Sequence, residues 1–184
     1  MEIKTIGIIG AATFGPSIAC LAALYGYQTI LQGVSPELLE DGTLFIRRRL
    51  DEGVVDGSIT PQQKQKALAN LATSRSVEDV CREAHLLIEA AQEEIEVKLE
   101  IFTLFDKFAI PGAILATSSA TISIIELAEI TFRTENCVGM RFRGWLPQAG
   151  LLEIIRAHET SDATVSACAA VAKRMKRDAI VLRA

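Results

Sequence analysis

Residues 4–33 limit the possible folds of this chain more than any other stretch. The apolar run Ile6-Gly-Ile-Ile9 leads into the turn Gly10-Ala-Ala-Thr-Phe-Gly15, small residues follow, and the stretch ends in Thr29-Ile-Leu-Gln-Gly33. A buried strand, a glycine turn, a helix of small residues and a second buried strand form the order of a parallel β-α-β unit. We therefore expect an α/β fold that begins with two parallel strands.

The turn itself predicts a site for a phosphate-containing ligand. Gly10, Ala12 and Gly15 stand at the three positions of the Gly-x-Gly-x-x-Gly pattern. Gly10 permits the tight turn, a small residue at 12 lets the backbone approach a pyrophosphate, and Gly15 lets the helix pack closely on the strand. We expect dinucleotide contacts from Gly10, Ala12, Thr13, Phe14 and Gly15 at the helix N-terminus. The methyl group of Ala12 narrows that approach, and a purely structural turn stays open as the alternative.

Short apolar runs alternate with helical stretches along the rest of the chain. Strands are predicted at residues 5–9, 29–34, 86–89, 113–117, 137–141, 151–156 and 179–182. Helices are predicted at residues 14–25, 36–53, 61–70, 76–83, 93–109, 122–130 and 161–175. This alternation is typical of a doubly wound, mostly parallel sheet. A length of 184 residues, 49% of them hydrophobic, suits a single Rossmann-like domain over residues 1–184.

Charge and cysteine spacing argue against several other classes of protein. The net charge is −4 and no basic stripe dominates, so a nucleic-acid partner is not expected. No signal peptide is evident before the first strand, and no apolar run reaches the roughly 18 residues of a membrane span. Cys20, Cys81, Cys137 and Cys168 show no Cys-x-x-Cys spacing. Cys20 and Cys168 fall within apolar helical patterns, so we expect buried, reduced thiols in a cytoplasmic protein, with no metal site.

Three later segments resemble the 3-hydroxyacyl-CoA dehydrogenases. Residues 86–94 (LLIEAAQEE), followed by Lys98, are similar to the strand and loop that lie over the cofactor in that family. Residues 114–128 are similar to the family segment ILASNTSSLSITELA, and residues 138–155 to IGMHFFNPVP…LVEII. The resemblance extends from about residue 4 to residue 182. It implies a Rossmann-like domain that binds NAD in enzymes acting on 3-hydroxyacyl thioesters.

The resemblance also implies which residues occupy the catalytic positions. The family's histidine base falls on Arg141, whose guanidinium stays protonated and cannot accept a proton at neutral pH. The family's orienting glutamate falls on Glu153, its substrate-side serine on Ala120 and its asparagine on Gly144. We therefore expect an ion pair between Arg141 and Glu153 in place of the catalytic dyad. We also expect the chain to be catalytically impaired.

The cofactor positions are only partly kept. The carboxylate that usually binds the adenosine ribose falls on Gly33, whereas Glu93, Lys98 and Ser118 stand where the family meets the nicotinamide side. We therefore expect a weakened NAD site, in which Gly33→Asp would tighten NAD binding. NADP is the less favoured alternative, because Ser35 stands near a possible 2′-phosphate position but no arginine follows it directly.

The resemblance finally implies partners and leaves two functions open. Family members continue with a helical domain, and the given sequence stops where that domain would begin, so it represents either a single-domain protein or part of a longer one. Without that domain, Phe142, Trp145 and Leu146 are expected to form an apolar cleft face, and burial of Trp145 in the core is the alternative. A second copy of the chain or a partner subunit would cover that face, and an acyl-CoA is the expected ligand. One candidate function is a dehydrogenase-type domain of fatty-acid or butyrate metabolism. The other is a pseudoenzyme or scaffold that acts through a partner or as a dimer.

Overall fold

The computed structural model describes residues 2–12, 14–144 and 150–184. Its strands form one eight-stranded sheet in the order β3-β2-β1-β4-β5-β6-β7-β8. These strands are β1 (Thr5–Ile9), β2 (Gln28–Gln32), β3 (Leu71–Ser74), β4 (Leu86–Glu89), β5 (Ile114–Thr117), β6 (Cys137–Arg143), β7 (Leu151–Arg156) and β8 (Asp178–Arg183). Every neighbouring pair is parallel except β6–β7, which is antiparallel. The predicted doubly wound, mostly parallel sheet is confirmed.

Seven helices connect the described strands, and most of them begin at a residue that the local sequence marks. They are α1 (Gly15–Leu24), α2 (Pro36–Val55), α3 (Pro61–Ala69), α4 (Val77–Glu83), α5 (Ile95–Phe108), α6 (Ile124–Ala128) and α7 (Asp162–Arg174). A serine or threonine side chain accepts a hydrogen bond from the first turn of five of them, namely Ser35, Thr60, Ser76, Ser123 and Ser161. Such caps satisfy backbone N–H groups that the helix leaves unpaired.

Helices cover both faces of the sheet, and β1 shows how the sequence specifies this. Ile6 and Ile8 pack into one core with α1, α2 and α7, whereas Ile9 packs into the other with Phe102 and Phe105 of α5. Side chains of a strand alternate between the two faces, so a strand covered on both sides must be apolar throughout. This is why the interior strands appear in the sequence as continuous apolar runs.

One strand was not expected from the sequence. Strand β3 reads Leu-Ala-Thr-Ser and lies at a sheet edge, where Ala72 and Thr73 are exposed. Because only one large apolar residue is present, the stretch lacks the signal that marks the buried strands. Its pairing with β2 comes from the backbone.

All four cysteines are buried and free, which confirms the burial predicted for Cys20 and Cys168. Burial raises the pKa of both Cys20 and Cys168 to about 12. Among the described residues, no three histidine, cysteine, aspartate or glutamate side chains are grouped as metal ligands would be. Within the same part of the chain, none of the helices combines the length and apolar character that crossing a membrane requires.

Candidate functional site

Two positions of the glycine turn after β1, Gly10 and Gly15, have no room for a side chain. Gly10 has a φ of +115°, and a Cβ atom there would lie 2.7 Å from the carbonyl oxygen of Ala90. A Cβ atom on Gly15 would lie 1.7 Å from the carbonyl oxygen of Gly10. Both glycines are therefore required by the backbone itself. Ala12 is exposed at the turn, and Thr13 lies outside the described residues.

The N-terminus of α1 differs from most of the other helix starts. Its N-cap residue, Phe14, provides no side-chain cap and leaves 64% of its surface exposed. The first turn also carries no acidic residue. No side chain among the described residues therefore caps the backbone N–H groups at this end. Such a helix end suits an anion, which receives hydrogen bonds and meets the positive end of the helix dipole.

The end of β2 is more crowded than the sequence suggested. Gly33 is buried, and a Cβ atom there would lie 2.9 Å from the Cβ of Ala11 and 3.0 Å from the side chain of Leu39. A carboxylate at position 33 therefore requires Ala11 to move. Ser35 caps α2 by accepting a hydrogen bond from the backbone N–H of Leu38 at 3.3 Å.

A buried ion pair lies between the ends of β4 and β5. The Nζ atom of Lys98 lies 2.7 Å from Oε1 of Glu89, and at most 1% of either side chain is exposed. The other oxygen of Glu89 accepts a hydrogen bond from Oγ1 of Thr117 at 2.7 Å, and Oε1 also accepts one from the N–H of Ala91. The charge of Glu89 is thus paired and hydrogen-bonded, as burial requires.

Glu93 holds the loop that follows β5. Its Oε1 atom accepts hydrogen bonds from the hydroxyl of Ser119, the N–H of Ala120, and both the N–H and the hydroxyl of Thr121. Its other oxygen lies 3.3 Å from Nζ of Lys98. Burial alone would raise the pKa of Glu93, but the hydrogen bonds from Ser119 and Thr121 and the charge of Lys98 outweigh it and lower the pKa to about 2. Glu93 is therefore an anion at neutral pH.

The expected ion pair between Arg141 and Glu153 is wrong. The two residues face each other across β6 and β7, but Glu153 binds Arg143 through Nε–Oε1 and Nη2–Oε2 contacts of 3.1 and 3.2 Å. Arg143 lies two residues farther along β6, on the same face of the sheet, so it reaches Glu153 diagonally. Arg141 instead contacts the loop after β5: its Nε atom donates a hydrogen bond to the carbonyl oxygen of Ser119 at 2.7 Å.

The structure brings most of the other predicted residues to the carboxyl ends of the parallel strands. Ser118 is half-buried, and its backbone N–H donates to the carbonyl oxygen of Glu89. Phe142 of the expected apolar face packs against the core, while Trp145 and Leu146 lie outside the described residues.

Sequence reasoning gave no role to Glu89, Ser119, Thr121 or Arg143. The acidic end of the apolar strand at residues 86–89 was the one available signal, because a carboxylate there needs a partner.

A turn with two positions that admit only glycine, a helix N-terminus that no described side chain caps and a mostly parallel sheet define a Rossmann-like, dinucleotide-binding type of domain. The chain belongs to the 3-hydroxyacyl-CoA dehydrogenase family, because the model of that family's NAD-binding domain matches residues 5–184. The resemblance noted in the sequence is thereby confirmed.

Individual relatives agree with this assignment. A 3-hydroxybutyryl-CoA dehydrogenase from Bradyrhizobium diazoefficiens is 37% identical over 165 residues, which make up 90% of this chain and 56% of that protein. A fatty acid oxidation complex subunit alpha from Idiomarina loihiensis is 32% identical over 98% of this chain and 25% of its own length. The crystal structure of (S)-3-hydroxybutyryl-CoA dehydrogenase from Ralstonia eutropha matches with a TM-score of 0.94 and 31% identity, over 99% of this chain and 64% of that one. This chain thus spans somewhat more than half the length of those two dehydrogenases.

Proposed function

We propose that this chain binds NAD(H) through its glycine turn but does not by itself perform the proton transfer of a 3-hydroxyacyl-CoA dehydrogenase. One observation carries the proposal: Arg141 occupies the position of the family's histidine base, and Glu153, at the position of its orienting glutamate, is bound by Arg143. An arginine has no lone pair with which to accept a proton at neutral pH.

The residues around the turn fit the pyrophosphate of a dinucleotide. Gly10 and Gly15 allow the turn to pack tightly against Ala90 and against itself, and no described side chain caps the N-terminus of α1 beside the turn. NAD would supply the hydride-accepting ring, and Glu93 and Ser118 stand at the positions of the nicotinamide side in the family. Lys98, predicted to lie there too, is buried against Glu89 and acts on this side through its contact with Glu93. The contact that is missing is the ribose carboxylate at Gly33, so we propose a weakened site.

NAD(H) is favoured over NADP(H) in this proposal. Hydrogen bonds from its own backbone N–H and from the hydroxyl of Ser35 lower the pKa of Glu37. Glu37 is therefore a carboxylate at neutral pH, and it lies beside Ser35, the residue that would have to meet a 2′-phosphate. The charge of Arg75 also acts on Glu37, so these charges do not by themselves select the cofactor, and the preference for NAD(H) rests on the lack of an arginine directly after Ser35.

A second candidate function is a binding module that acts through a partner subunit or as a dimer. The observation that favours it is the edge strand β8, in which all six residues are exposed, including Ile180, Val181 and Leu182. An exposed apolar edge strand offers both unpaired backbone groups and apolar surface to another chain. An acyl-CoA ligand is compatible with either function, and a cytoplasmic location stays a prediction.

The test is a parallel isothermal titration of the purified chain with NADH, NADPH and acetoacetyl-CoA, followed by an NADH oxidation assay. We expect measurable binding of NADH, weaker binding of NADPH, and no oxidation of NADH by acetoacetyl-CoA above the blank. Turnover would contradict the loss of proton transfer. No heat with NADH would contradict cofactor binding and would leave the binding-module function.

A further inference from the structure

Arg141 carries a charge that no described residue neutralises. The hydrogen bond from its Nε atom to the carbonyl oxygen of Ser119 is the contact that holds it, and it forms no ion pair within residues 2–12, 14–144 and 150–184. The residue is half-buried, so water screens its charge only in part. A partly desolvated, unpaired charge costs free energy, and such charges concentrate where a ligand supplies the opposite charge.

The acidic groups opposite Arg141 on β7 and beside the loop that contains Ser119 are already engaged. Glu153, directly opposite on β7, forms its two-point ion pair with Arg143. Glu93, which holds the loop containing Ser119, is bound by Lys98 and by the hydroxyl and backbone groups of that loop. Neither carboxylate is therefore available to Arg141, although both lie on adjacent elements.

The hydrogen bond to Ser119 also restricts the orientation of the guanidinium group. Nε is used by Ser119, whereas the two terminal nitrogens, with their four N–H groups, form no hydrogen bond with residues 2–12, 14–144 or 150–184. Two parallel N–H groups on a planar fork match the two oxygens of a carboxylate better than they match a single carbonyl oxygen.

We propose that Arg141 binds the free carboxylate of a short oxo or hydroxy acid at the carboxyl end of β6. The ligand class at this site is then an organic acid anion and not the uncharged thioester end of an acyl-CoA. This inference rests on the proposed function, since it assumes that the acid lies beside the nicotinamide end of bound NAD(H).

The experiment compares acetoacetate with its uncharged methyl ester, and with inorganic phosphate, by calorimetry on the NADH-loaded chain. We expect acetoacetate to bind about tenfold more tightly than methyl acetoacetate, and more tightly than phosphate, as hydrogen bonds between charged groups allow. Arg141→Gln should abolish the preference for acetoacetate, and Arg141→Lys should keep part of it. Arg156→Gln is the matched control: it also removes an arginine from the sheet, but Arg156, on β7, is already paired with Asp162 of α7. This variant should leave the preference for acetoacetate unchanged.

The outcomes separate this inference from the proposed function. NADH binding without a preference for acetoacetate, a preference that survives in Arg141→Gln, or equal affinity for phosphate would each overturn the carboxylate site. If NADH does not bind, the same titrations are made on the chain alone. A preference that depends on Arg141 there would support the carboxylate site while the cofactor proposal fails. Circular dichroism of each variant checks that it is folded.

Discussion

Lys98 and Glu89 form a 2.7 Å ion pair in which at most 1% of either side chain is exposed. The pair joins the N-terminal part of α5 to the end of β4, and Glu93 extends it to the loop after β5. The candidate cofactor side of the sheet is therefore built around paired charges. Its stability should depend strongly on keeping each charge paired.

Replacing one member of the buried pair should destabilise the domain far more than replacing a surface charge. We expect Lys98→Met to lower the free energy of unfolding by about 3–5 kcal/mol, because the Glu89 carboxylate is left buried without its cation. Arg82→Gln, which removes an exposed ion pair with Glu78 and a contact with the ring of Phe108, should cost only about 1 kcal/mol. Urea unfolding of both variants measures the difference. Equal losses in the free energy of unfolding would show that the buried pair stabilises the domain no more than the surface pair does.

Glu93 should make stability depend on pH in the acidic range. Its pKa is about 2 in the folded chain and 4.5 ordinarily, so its contribution is complete above pH 4.5 and is lost as the pH falls through 2. At pH 6 we expect Glu93→Gln to lower Tm by about 2–4 °C, which corresponds to about 1 kcal/mol in a domain of this size. The difference from the wild type should shrink as the pH is lowered. Glu94→Gln, at a side chain that caps nothing, is the matched control.

The space around a glycine, and not only its φ angle, should decide how far it tolerates a side chain. Gly10 and Gly57 both have positive φ, but a Cβ atom on Gly57 would meet nothing within 4 Å. We expect Gly57→Ala to cost about 1 kcal/mol from backbone strain alone. Gly10→Ala should cost about 2 kcal/mol more, since its methyl group overlaps Ala90, and should abolish NADH binding. Thermal unfolding and NADH titration measure the two effects, and similar losses would contradict the argument.

Restoring the ribose carboxylate should require a second change. Gly33→Asp alone should gain little affinity for NADH, because its Cβ atom would lie 2.9 Å from that of Ala11. Ala11→Gly removes that obstacle, so the double variant should bind NADH more tightly than Ala11→Gly alone. Calorimetry on the wild type, the two single variants and the double variant measures the coupling between the two positions. Additive effects would show that Ala11 does not limit the site.

The sequence predicted the order of the fold well because its signals are local. Buried strands such as residues 86–89 are continuous apolar runs, and a helix start such as Thr60-Pro61 carries its own cap. Strand β3 was missed because an edge strand of polar and small residues is held by backbone pairing, which leaves no side-chain pattern.

The contacts of the site could be predicted only in part. Arg141 and Glu153 are opposite each other on paired strands, as the resemblance implied, yet the choice of ion-pair partner depended on Arg143 and on the carbonyl oxygen of Ser119. Whether Glu153 pairs with the arginine directly opposite or with the one diagonally opposite depends on the orientation of the side chains in the folded sheet. The spacing of residues along the sequence does not determine that orientation.

Arg143 should limit any attempt to restore the family's base. Arg141→His alone should raise the rate of NADH oxidation with acetoacetyl-CoA by less than about tenfold over the blank. The reason is that Arg143 binds Glu153 and keeps it from orienting the new imidazole. Replacing Arg143 by phenylalanine, the residue of the family segment at this position, frees Glu153.

The double variant Arg141→His/Arg143→Phe should therefore exceed the single variant in rate. Its rate should depend on pH because the new imidazole must be unprotonated to act as a base, and the ordinary pKa of an imidazole is about 6.5. Adding Glu153→Gln should remove the gain, since an amide does not stabilise the imidazolium. The absent serine and asparagine, at Ala120 and Gly144, still leave the substrate poorly positioned, so the double variant should remain a slow enzyme. A single variant as fast as the double would show that Arg143 has no part in holding Glu153 away.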